Sequence, residues 1–460
     1  MIYDLIVIGG GPAGYTGAAR AGRAGMSVLL IEKTAIGGVC LNEGCIPSKT
    51  LLHSAKIHDY AAHGEKYGVT VKEAVLNHRM VWERKNKVVK MLASGVKGSL
   101  KKNNVTVAEG FAEISGKSSE GYRIRAGGRA YTGKRLLIAT GSVPLIPPIP
   151  GVDDGLKHGL VLTNREILDL QEIPPSLAVI GGGVVGLEMA SYFNTAGSRV
   201  TVLEMLDHVG GSVDREISGF LLDQYRKKGV GFVLNAKVTE IKENSVVYEH
   251  EGERLTLQAD KVLLSAGRKP DIEGLGLERI GLETECGCIK TDERGCTNLP
   301  EVYAAGDVNG FSMLAHTAHR EAEVCVNNML GKKDLVRYGM IPYCIFTNPE
   351  VAGAGETEET AREKGIDYEA VKVSMRYSGR FIAENEGGDG ICKLILDKKS
   401  RRLLGMHMIA NYATEIIYGA GMMLEMEMRA GDIRELVFPH PTVSEIIREA
   451  VFEAEGGFLP

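Results

Sequence analysis

Two glycine-rich turns, each set between the same neighbours, restrict this chain more than anything else in it. In the first, the apolar run at residues 3–8 (YDLIVI) leads into Gly9, Gly11 and Gly14, spaced as GxGxxG. Small helix-forming residues follow, and then a second apolar run from Ser27 to Ile31 that ends at Glu32. In the second, Leu177–Ile180 leads into Gly181, Gly183 and Gly186, and Arg199–Leu203 ends at Glu204. The glycines and the acid of the second set each lie 172 residues after their counterparts in the first. Glycines allow a tight turn and let the backbone approach a pyrophosphate. The following helix start supports its charge, and the acid accepts hydrogen bonds from a ribose. A single GxGxxG is weak evidence, and two unrelated turns would not share strands, glycines and acid at one spacing. The expectation is an α/β chain with two Rossmann-like dinucleotide-binding units and electrons moving between two dinucleotides.

A second feature lies close behind the first turn. In GGVCLNEGCIPSK, residues 37–49, four residues separate Cys40 from Cys45, and Pro47 and Ser48 read as the start of a helix. Two sulfurs this close can open and close as a disulfide without unfolding the chain. A helix start beside Cys45 offers unpaired amides and positive potential, which favour the reactive thiolate. With 460 residues, 44% of them hydrophobic, the chain has core enough to need no disulfide staples. It opens directly into a strand, shows no signal peptide and has no apolar run long enough to span a bilayer, so a cytoplasmic, reducing setting is expected. There a close cysteine pair is catalytic or metal-binding rather than structural. Only His53 and His58 follow nearby, too few ligands for a metal, and none is expected. Cys286, Cys288 and Cys296 also cluster, but without an evident fourth ligand they read as ordinary thiols. The net charge of −5 and the absence of a basic run point to neither nucleic acid nor an anionic membrane.

The order of these features suggests an assignment. The first turn is continuous with the cysteine pair, which suits a permanently held flavin, FAD. The second turn stands alone in its own segment, which suits a nicotinamide that comes and goes. Glu204 would repel a 2′-phosphate, and the MLDH that follows supplies no arginine, so NAD is expected rather than NADP.

The rest of the chain fits around this. Residues 66–115 read as a long, partly exposed helix followed by a short strand, its charges a solvated face. Residues 136–142 (LLIATGS) form an apolar strand, and four prolines in residues 143–151 mark a domain crossing near 148. KVLLSAGR (261–268) mirrors that strand end. VYAAGD (302–307) runs into Asp307 beside a helix at 313–331, which suits a second flavin contact or, more plainly, a turn or N-cap residue. From about residue 341 come strands YCIFT, ICKLILD and LLGMHMI and a Met-rich helix, which read as a core or a subunit interface. Near the end, His440 lies between two prolines with Glu445 five residues on. Prolines fix the backbone and the acid orients the ring, giving a candidate base for thiol chemistry.

Together, GGVCLNEGCIPSK, the two GxGxxG units, ATGS, AAGD and HPTVSE resemble the flavoprotein disulfide reductases over essentially the full chain. CLNxGCIPSK, GRKPDIEGLGLE (267–278) and MLAH (313–316) resemble the branch of that family that oxidises dihydrolipoamide. The glutathione-reducing members carry a substrate arginine five residues past the third glycine, where this chain has Ala19. Members with an additional C-terminal cysteine pair differ too, since this chain ends GGFLP. One departure is Phe438, where the dihydrolipoamide branch commonly has a histidine.

The resemblance implies an FAD-binding domain at 1–148 continued at 271–340, an NAD-binding domain at 149–270, and a C-terminal α+β dimerisation domain at 341–460. It implies a Cys40–Cys45 redox disulfide, with Cys40 facing substrate and Cys45 facing the flavin. Lys49 and Glu188 would pair near the flavin and nicotinamide. His440 with Glu445 would be the base, supplied across a two-fold homodimer. FAD contacts would include Gly9, Gly11, Gly14, Glu32, Lys33, Gly38, Lys49, Thr140, Gly141, Asp307, Met313, Leu314, Ala315 and His316. Gly181, Gly183, Gly186, Glu204 and Gly267 would hold NAD. The implied reaction is ping-pong, with protein-bound dihydrolipoamide oxidised to lipoamide and NAD⁺ reduced. The implied partner is the lipoyl domain of a 2-oxoacid dehydrogenase acyltransferase or a glycine cleavage carrier protein. The alternative is an NAD(P)H-dependent reductase of another disulfide, and a redox-responsive docking subunit is a third reading.

Overall fold

The computed structural model describes residues 2–457, so Phe458–Pro460 of the GGFLP end lie outside the described residues. The chain divides into two compact units. One takes residues 1–50, 82–145 and 267–338, and the other takes 51–81, 146–266 and 339–460. The segment 82–145 of the first unit ends at Leu145, inside the proline-rich stretch. Residues 51–81 group with the second unit, where Leu51, Leu52, Ala55 and Val81 share a core with Leu187, Phe193 and Ile345.

In the first unit, the strands Val105–Glu109, Val28–Glu32, Ile2–Ile8 and Arg129–Ile138 lie side by side and parallel. Gly121–Ala126 and Glu113–Ser118 extend the sheet antiparallel, and Val302–Ala304 pairs with the end of Arg129–Ile138. Side chains alternate along a strand, so one apolar run serves two cores. Leu5, Val7, Leu30 and Leu137 pack with Ala18, Ala21, Ala322 and Val326 of the helices Pro12–Arg23 and Ala315–Met329. Ile6, Ile8, Leu29 and Ile138 face Tyr122, Ile124 and Leu275 on the other side. Gly17 lets the first helix press onto the sheet, since a Cβ there would come 2.5 Å from Leu137.

The second unit holds a five-stranded parallel sheet built round Ser176–Ile180 and Arg199–Leu203, and a three-stranded meander, Lys237–Lys242, Ser245–His250 and Glu253–Gln258. Its C-terminal sheet runs in the order Tyr343–Ile345, Glu350–Gly355, Leu403–Ala410, Ile391–Asp397, Tyr368–Ser374 and is antiparallel throughout. Two of those strands, Glu350–Gly355 and Tyr368–Ser374, were not expected. Helices Ala413–Glu425 and Glu445–Ala454 pack on this sheet through Ile417, Ala420, Ile446 and Val451. Of the methionines, Met375, Met406 and Met408 are fully buried in that core, whereas Met422 and Met426 are 51% and 74% exposed. Among the described residues, no helix is long and apolar enough to cross a membrane.

One buried ion cluster ties parts of the second unit together. Asp214 caps the helix Arg215–Lys227 by accepting from the Glu216 and Ile217 amides. Its other oxygen lies 3.0 Å from Nζ of Lys393 on the C-terminal sheet, with side-chain exposures of 0% and 4%. Glu358 and Glu216 also approach Lys393. Burial alone would lower the Lys393 ammonium, but these carboxylates outweigh it and hold it above its ordinary value. Removing one partner of such a pair leaves a buried, uncompensated charge. Lys393→Met should therefore destabilise the protein by about 3–5 kcal/mol, read as a lower apparent melting temperature. An unchanged melting temperature would show that the cluster carries no net stability.

Candidate active site

Glycine is required at the first turn. Gly9 has φ +103°, and a Cβ on it would come 2.3 Å from the Ala139 carbonyl oxygen. A Cβ on Gly14 would sit 1.8 Å from the Gly9 carbonyl oxygen. The Glu32 carboxylate accepts hydrogen bonds from the Gly10 amide at 2.6 Å and the Thr34 amide at 2.7 Å. Pro12 opens the helix behind the turn, where its missing N–H costs nothing. The second turn repeats this bonding. Gly181 has φ +101°, and Glu204 accepts from the Gly182 amide at 2.5 Å and the Leu206 amide at 2.7 Å. At the helix starts themselves there is room. A Cβ on Gly11 would meet only Gly38 Cα, at 3.7 Å, and one on Gly183 would meet nothing within 4 Å. Both turns therefore fit a dinucleotide, with open helix amides for phosphate and an anchored acid for ribose.

Other expected flavin contacts gather in the same unit. Gly38 has φ +59° and lies against Gly11. Thr140 Oγ1 is buried without a hydrogen-bond partner, an orphan that a bound polar group would satisfy. Gly141 follows with φ +70°. Asp307 opens a short turn and accepts from Ser142 Oγ at 2.5 Å, while Arg268 donates to Ser142 Oγ and to its carbonyl at 2.7 Å each. Met313 and Leu314 precede Ala315 and His316, and the helix there has no side-chain cap, which leaves its first amides for a ligand. The Lys33 ammonium is engaged by Asp271 at 2.5 Å. Gly267 opens the last segment of the first unit, whereas Gly181, Gly183, Gly186 and Glu204 belong to the second.

Cys40 lies in a short helix, Gly38–Glu43, and Cys45 is itself the first residue of the helix Cys45–Ala62, two residues earlier than Pro47 suggested. Both are half-buried reduced cysteines whose side chains hydrogen bond to each other. That hydrogen bond pushes the Cys40 thiol well up, and burial and the charge of Cys45 add to it, with Lys49 pulling partly the other way. In the reduced pair Cys40 therefore keeps its proton. Tyr15, just after the third glycine, is raised to about 12 by burial and by the charges of Cys40 and Cys45. Its hydroxyl lies 3.4 Å from Nε2 of His319, whose Nδ1 is 2.6 Å from Thr16 Oγ1. Sequence reasoning passed over Tyr15 and His319. The available signal is a bulky phenol in a helix whose other residues, Arg20 and Arg23 apart, are small.

In the second unit, Glu188 is buried and accepts from the Phe346 amide at 3.1 Å. His440 and Glu445 meet as expected, Nδ1 to Oε1 at 2.9 Å, and the other Glu445 oxygen accepts from the Thr442 amide at 2.8 Å. Burial tends to raise Glu445, but the Thr442 amide and His440 outweigh it, so the acid sits below its ordinary value and stays ionised. The His440 side chain is 78% exposed. Phe438 packs partly against the C-terminal core.

The Thr140 hydroxyl provides a test of fit. Thr140→Val should leave the stability of flavin-free protein unchanged or slightly raised, because it removes an orphan. It should weaken flavin retention by about fivefold, the worth of one net hydrogen bond, measured by fluorescence on dialysis. Unaltered retention would place the flavin elsewhere.

Comparison with known proteins agrees with this chemistry. A model of the pyridine nucleotide-disulphide oxidoreductases matches residues 3–322, and a model of that family's dimerisation domain, which supports a homodimer, matches residues 341–451. Dihydrolipoyl dehydrogenase of Mycoplasma pneumoniae is 36% identical over 460 residues, covering 99% of both chains. The mitochondrial dihydrolipoyl dehydrogenase of Pisum sativum is 38% identical, covering 97% of this chain and 90% of the relative. Among solved structures, the Cu(II) complex of the HOCl-induced flavoprotein disulfide reductase RclA from Escherichia coli superposes with TM-score 0.86 at 30% identity, covering 98% of this chain and 99% of that one. The chain belongs to the pyridine nucleotide-disulphide oxidoreductases, flavoprotein enzymes that use FAD and NAD.

Proposed function

We propose that the protein oxidises protein-bound dihydrolipoamide to lipoamide and reduces NAD⁺, working as a homodimer. The observation that carries this reading is the hydrogen-bonded Cys40–Cys45 pair, with the Cys40 proton held, in the unit that contains the first glycine turn. The relatives named dihydrolipoyl dehydrogenase, similar along nearly their whole length, support the substrate. We assign FAD to residues 1–148 and 271–340, NAD to 149–270, and dimer contacts to 341–460.

In the oxidised enzyme a substrate thiolate attacks Cys40 Sγ. The Cys40–Cys45 bond breaks, and Cys45 leaves as a thiolate at its helix N-terminus, where the dipole favours the charge. The second substrate thiol then displaces Cys40, which closes the lipoamide disulfide and leaves both cysteines reduced. The proton of the first attack goes to His440 Nε2 of the second copy, which passes one to Cys40 as it leaves and takes up that of the second thiol, so that one proton ends on Cys40 and one on His440; Glu445 keeps that ring oriented through Nδ1. Bound FAD supplies the two-electron relay from Cys45 to NAD⁺. Lys49 and Glu188 keep the charge-balancing roles that the resemblance gives them. Glu204, held by the Gly182 amide, would select NAD⁺ through the ribose hydroxyls. The dithiol partner is a lipoyl domain on another chain, and a reducing cytoplasm suits a catalytic thiol pair.

A second reading, reduction of another disulfide at the expense of NAD(P)H, draws support from Phe438 and from the structural likeness to a flavoprotein disulfide reductase. Steady-state rates with dihydrolipoamide and with glutathione disulfide separate the two. A protein that turns over only the latter would end the first reading. Cys45→Ser should lose dihydrolipoamide oxidation and the long-wavelength thiolate-to-flavin band that partial reduction produces in the unaltered protein. Glu445→Gln should lower kcat by about a hundredfold, the scale of a catalytic group displaced by about 1 Å, with KM for NAD⁺ unchanged. An equal effect on both parameters would show that Glu445 acts only on the fold.

A further inference from the structure

The helix His78–Lys102 carries a charge pattern that the redox chemistry leaves unused. From Arg84 to Lys102 it holds seven basic residues and no acidic one, in a chain whose net charge is −5. Lys87, Lys90, Lys97, Lys101 and Lys102 are all exposed. With 3.6 residues per turn they fall within one arc of about 140°. Among the described residues, none of the five ammonium groups has an ion pair or a hydrogen-bond partner. A merely solvated helix face usually interleaves acids at i+4, which stabilise it, whereas Lys97 and Lys101 repel. The helix is held instead by its opposite face, where Leu100 is buried and Val96 packs against the same core.

The helix that carries this row is tied to the helix of the redox pair. Arg84 Nη1 donates to the Thr50 carbonyl at 3.3 Å, and Thr50 lies on the helix that Cys45 starts, within the same unit. At 1.5 Å per residue, Lys87 lies about 5 Å and Lys101 about 26 Å along the helix axis beyond Arg84. The positive charge therefore leads away from the cysteine helix along one face, in two groups about 10 Å apart, Lys87 and Lys90 and then Lys97, Lys101 and Lys102.

We propose that this lysine row is the docking surface for an acidic protein domain that presents the dithiol to Cys40. The proposal rests on the oxidation of protein-bound dihydrolipoamide proposed above. An acidic protein surface is the complement of five unpaired lysines. A membrane-bound helix would need an apolar strip beneath them, and here the exposed large apolar residues between Arg84 and Lys102 are Met91 and Leu92 alone. Charge at such a rim sets encounter and apparent affinity rather than the chemical step.

The test compares two substrates on one protein: free dihydrolipoamide, which is uncharged, and a recombinant, reduced lipoyl domain of net negative charge. The triple charge reversal Lys90→Glu, Lys97→Glu and Lys101→Glu should raise KM for the domain about tenfold while leaving free dihydrolipoamide kinetics unchanged. For the unaltered protein, KM for the domain should rise with ionic strength, and that dependence should flatten in the variant. The corresponding triple glutamine variant, which adds no new charge, should shift KM the same way by less. It carries the test, with the salt titration, if the glutamate variant loses activity on free dihydrolipoamide. An unchanged KM for the domain in both variants, with no salt dependence, overturns the proposal. So does binding to phosphatidylserine vesicles that the variants lose while the domain kinetics stay fixed. An unaltered protein that oxidises neither substrate overturns the functional reading itself, a result distinct from oxidation of the free substrate alone.

Discussion

A carboxylate holding a turn by its backbone amides is the interaction on which the rest depends. Glu32 bonds the Gly10 and Thr34 amides, and Glu204 bonds the Gly182 and Leu206 amides. Each acid joins the end of the second strand to the turn after the first, so strand, turn and helix start are locked as one piece. The turn then accepts a returning chain. The Gly10 carbonyl receives the Gly37 amide at 2.8 Å, and the Gly182 carbonyl receives the Gly210 amide at 2.8 Å. From this shared geometry the two copies diverge. After Gly37 the chain turns into the Cys40 helix and then the Cys45 helix. After Gly210 it runs to Asp214 and the buried ion cluster with Lys393. One scaffold delivers reactive sulfurs, and the other delivers a helix anchored to the C-terminal sheet.

The reduced cysteine pair is an acid problem before it is a redox problem. The hydrogen bond with Cys45 and burial hold the Cys40 proton in place. Tyr15 is likewise raised, by burial first and then by the same sulfurs, so the first unit places a weak acid beside the pair. Thiol exchange at Cys40 needs a proton acceptor from outside this cluster. In the proposed reaction that acceptor is His440 of the second copy, whose ring is largely exposed and held by an ionised Glu445.

The local patterns were legible in the sequence because their physics is local. Glycine spacing, alternating apolar strands and a terminal acid each report on residues within one supersecondary unit, and all three appear where expected. The helix starts at Cys45, ahead of the start that Pro47 suggests, because a proline reads naturally as a first helical residue yet is tolerated anywhere in the first turn, where amides lack partners. The strand Glu350–Gly355, EVAGAG, was missed because small residues carry little β signal. It is buried between two partners and owes its pairing to them. Contacts such as Tyr15 with His319 or Asp214 with Lys393 join residues far apart in the chain and leave no mark in local composition. The grouping of residues 51–81 with the second unit is likewise set by packing that no single segment announces.

Because the two acids are bonded alike, the backbone at the turns does not distinguish a resident cofactor from an exchanging one. The difference lies in what lines each turn. Beside the first, Ala13 is buried, Gly38 closes against Gly11, and Thr140 and Asp307 converge in the same unit. Beside the second, a Cβ on Gly183 would meet open space, Val184 and Val185 are each 40% exposed, and Met205 and Leu206 are 66% and 45% exposed. A ligand at the first turn would be enclosed by several segments, and its release would require them to part. Within its own unit, a ligand at the second would meet the turn and its acid flanked by exposed side chains, an open setting that suits exchange. That contrast supports flavin at the first turn and an exchanging nicotinamide at the second on physical grounds, independent of the order of the motifs along the chain.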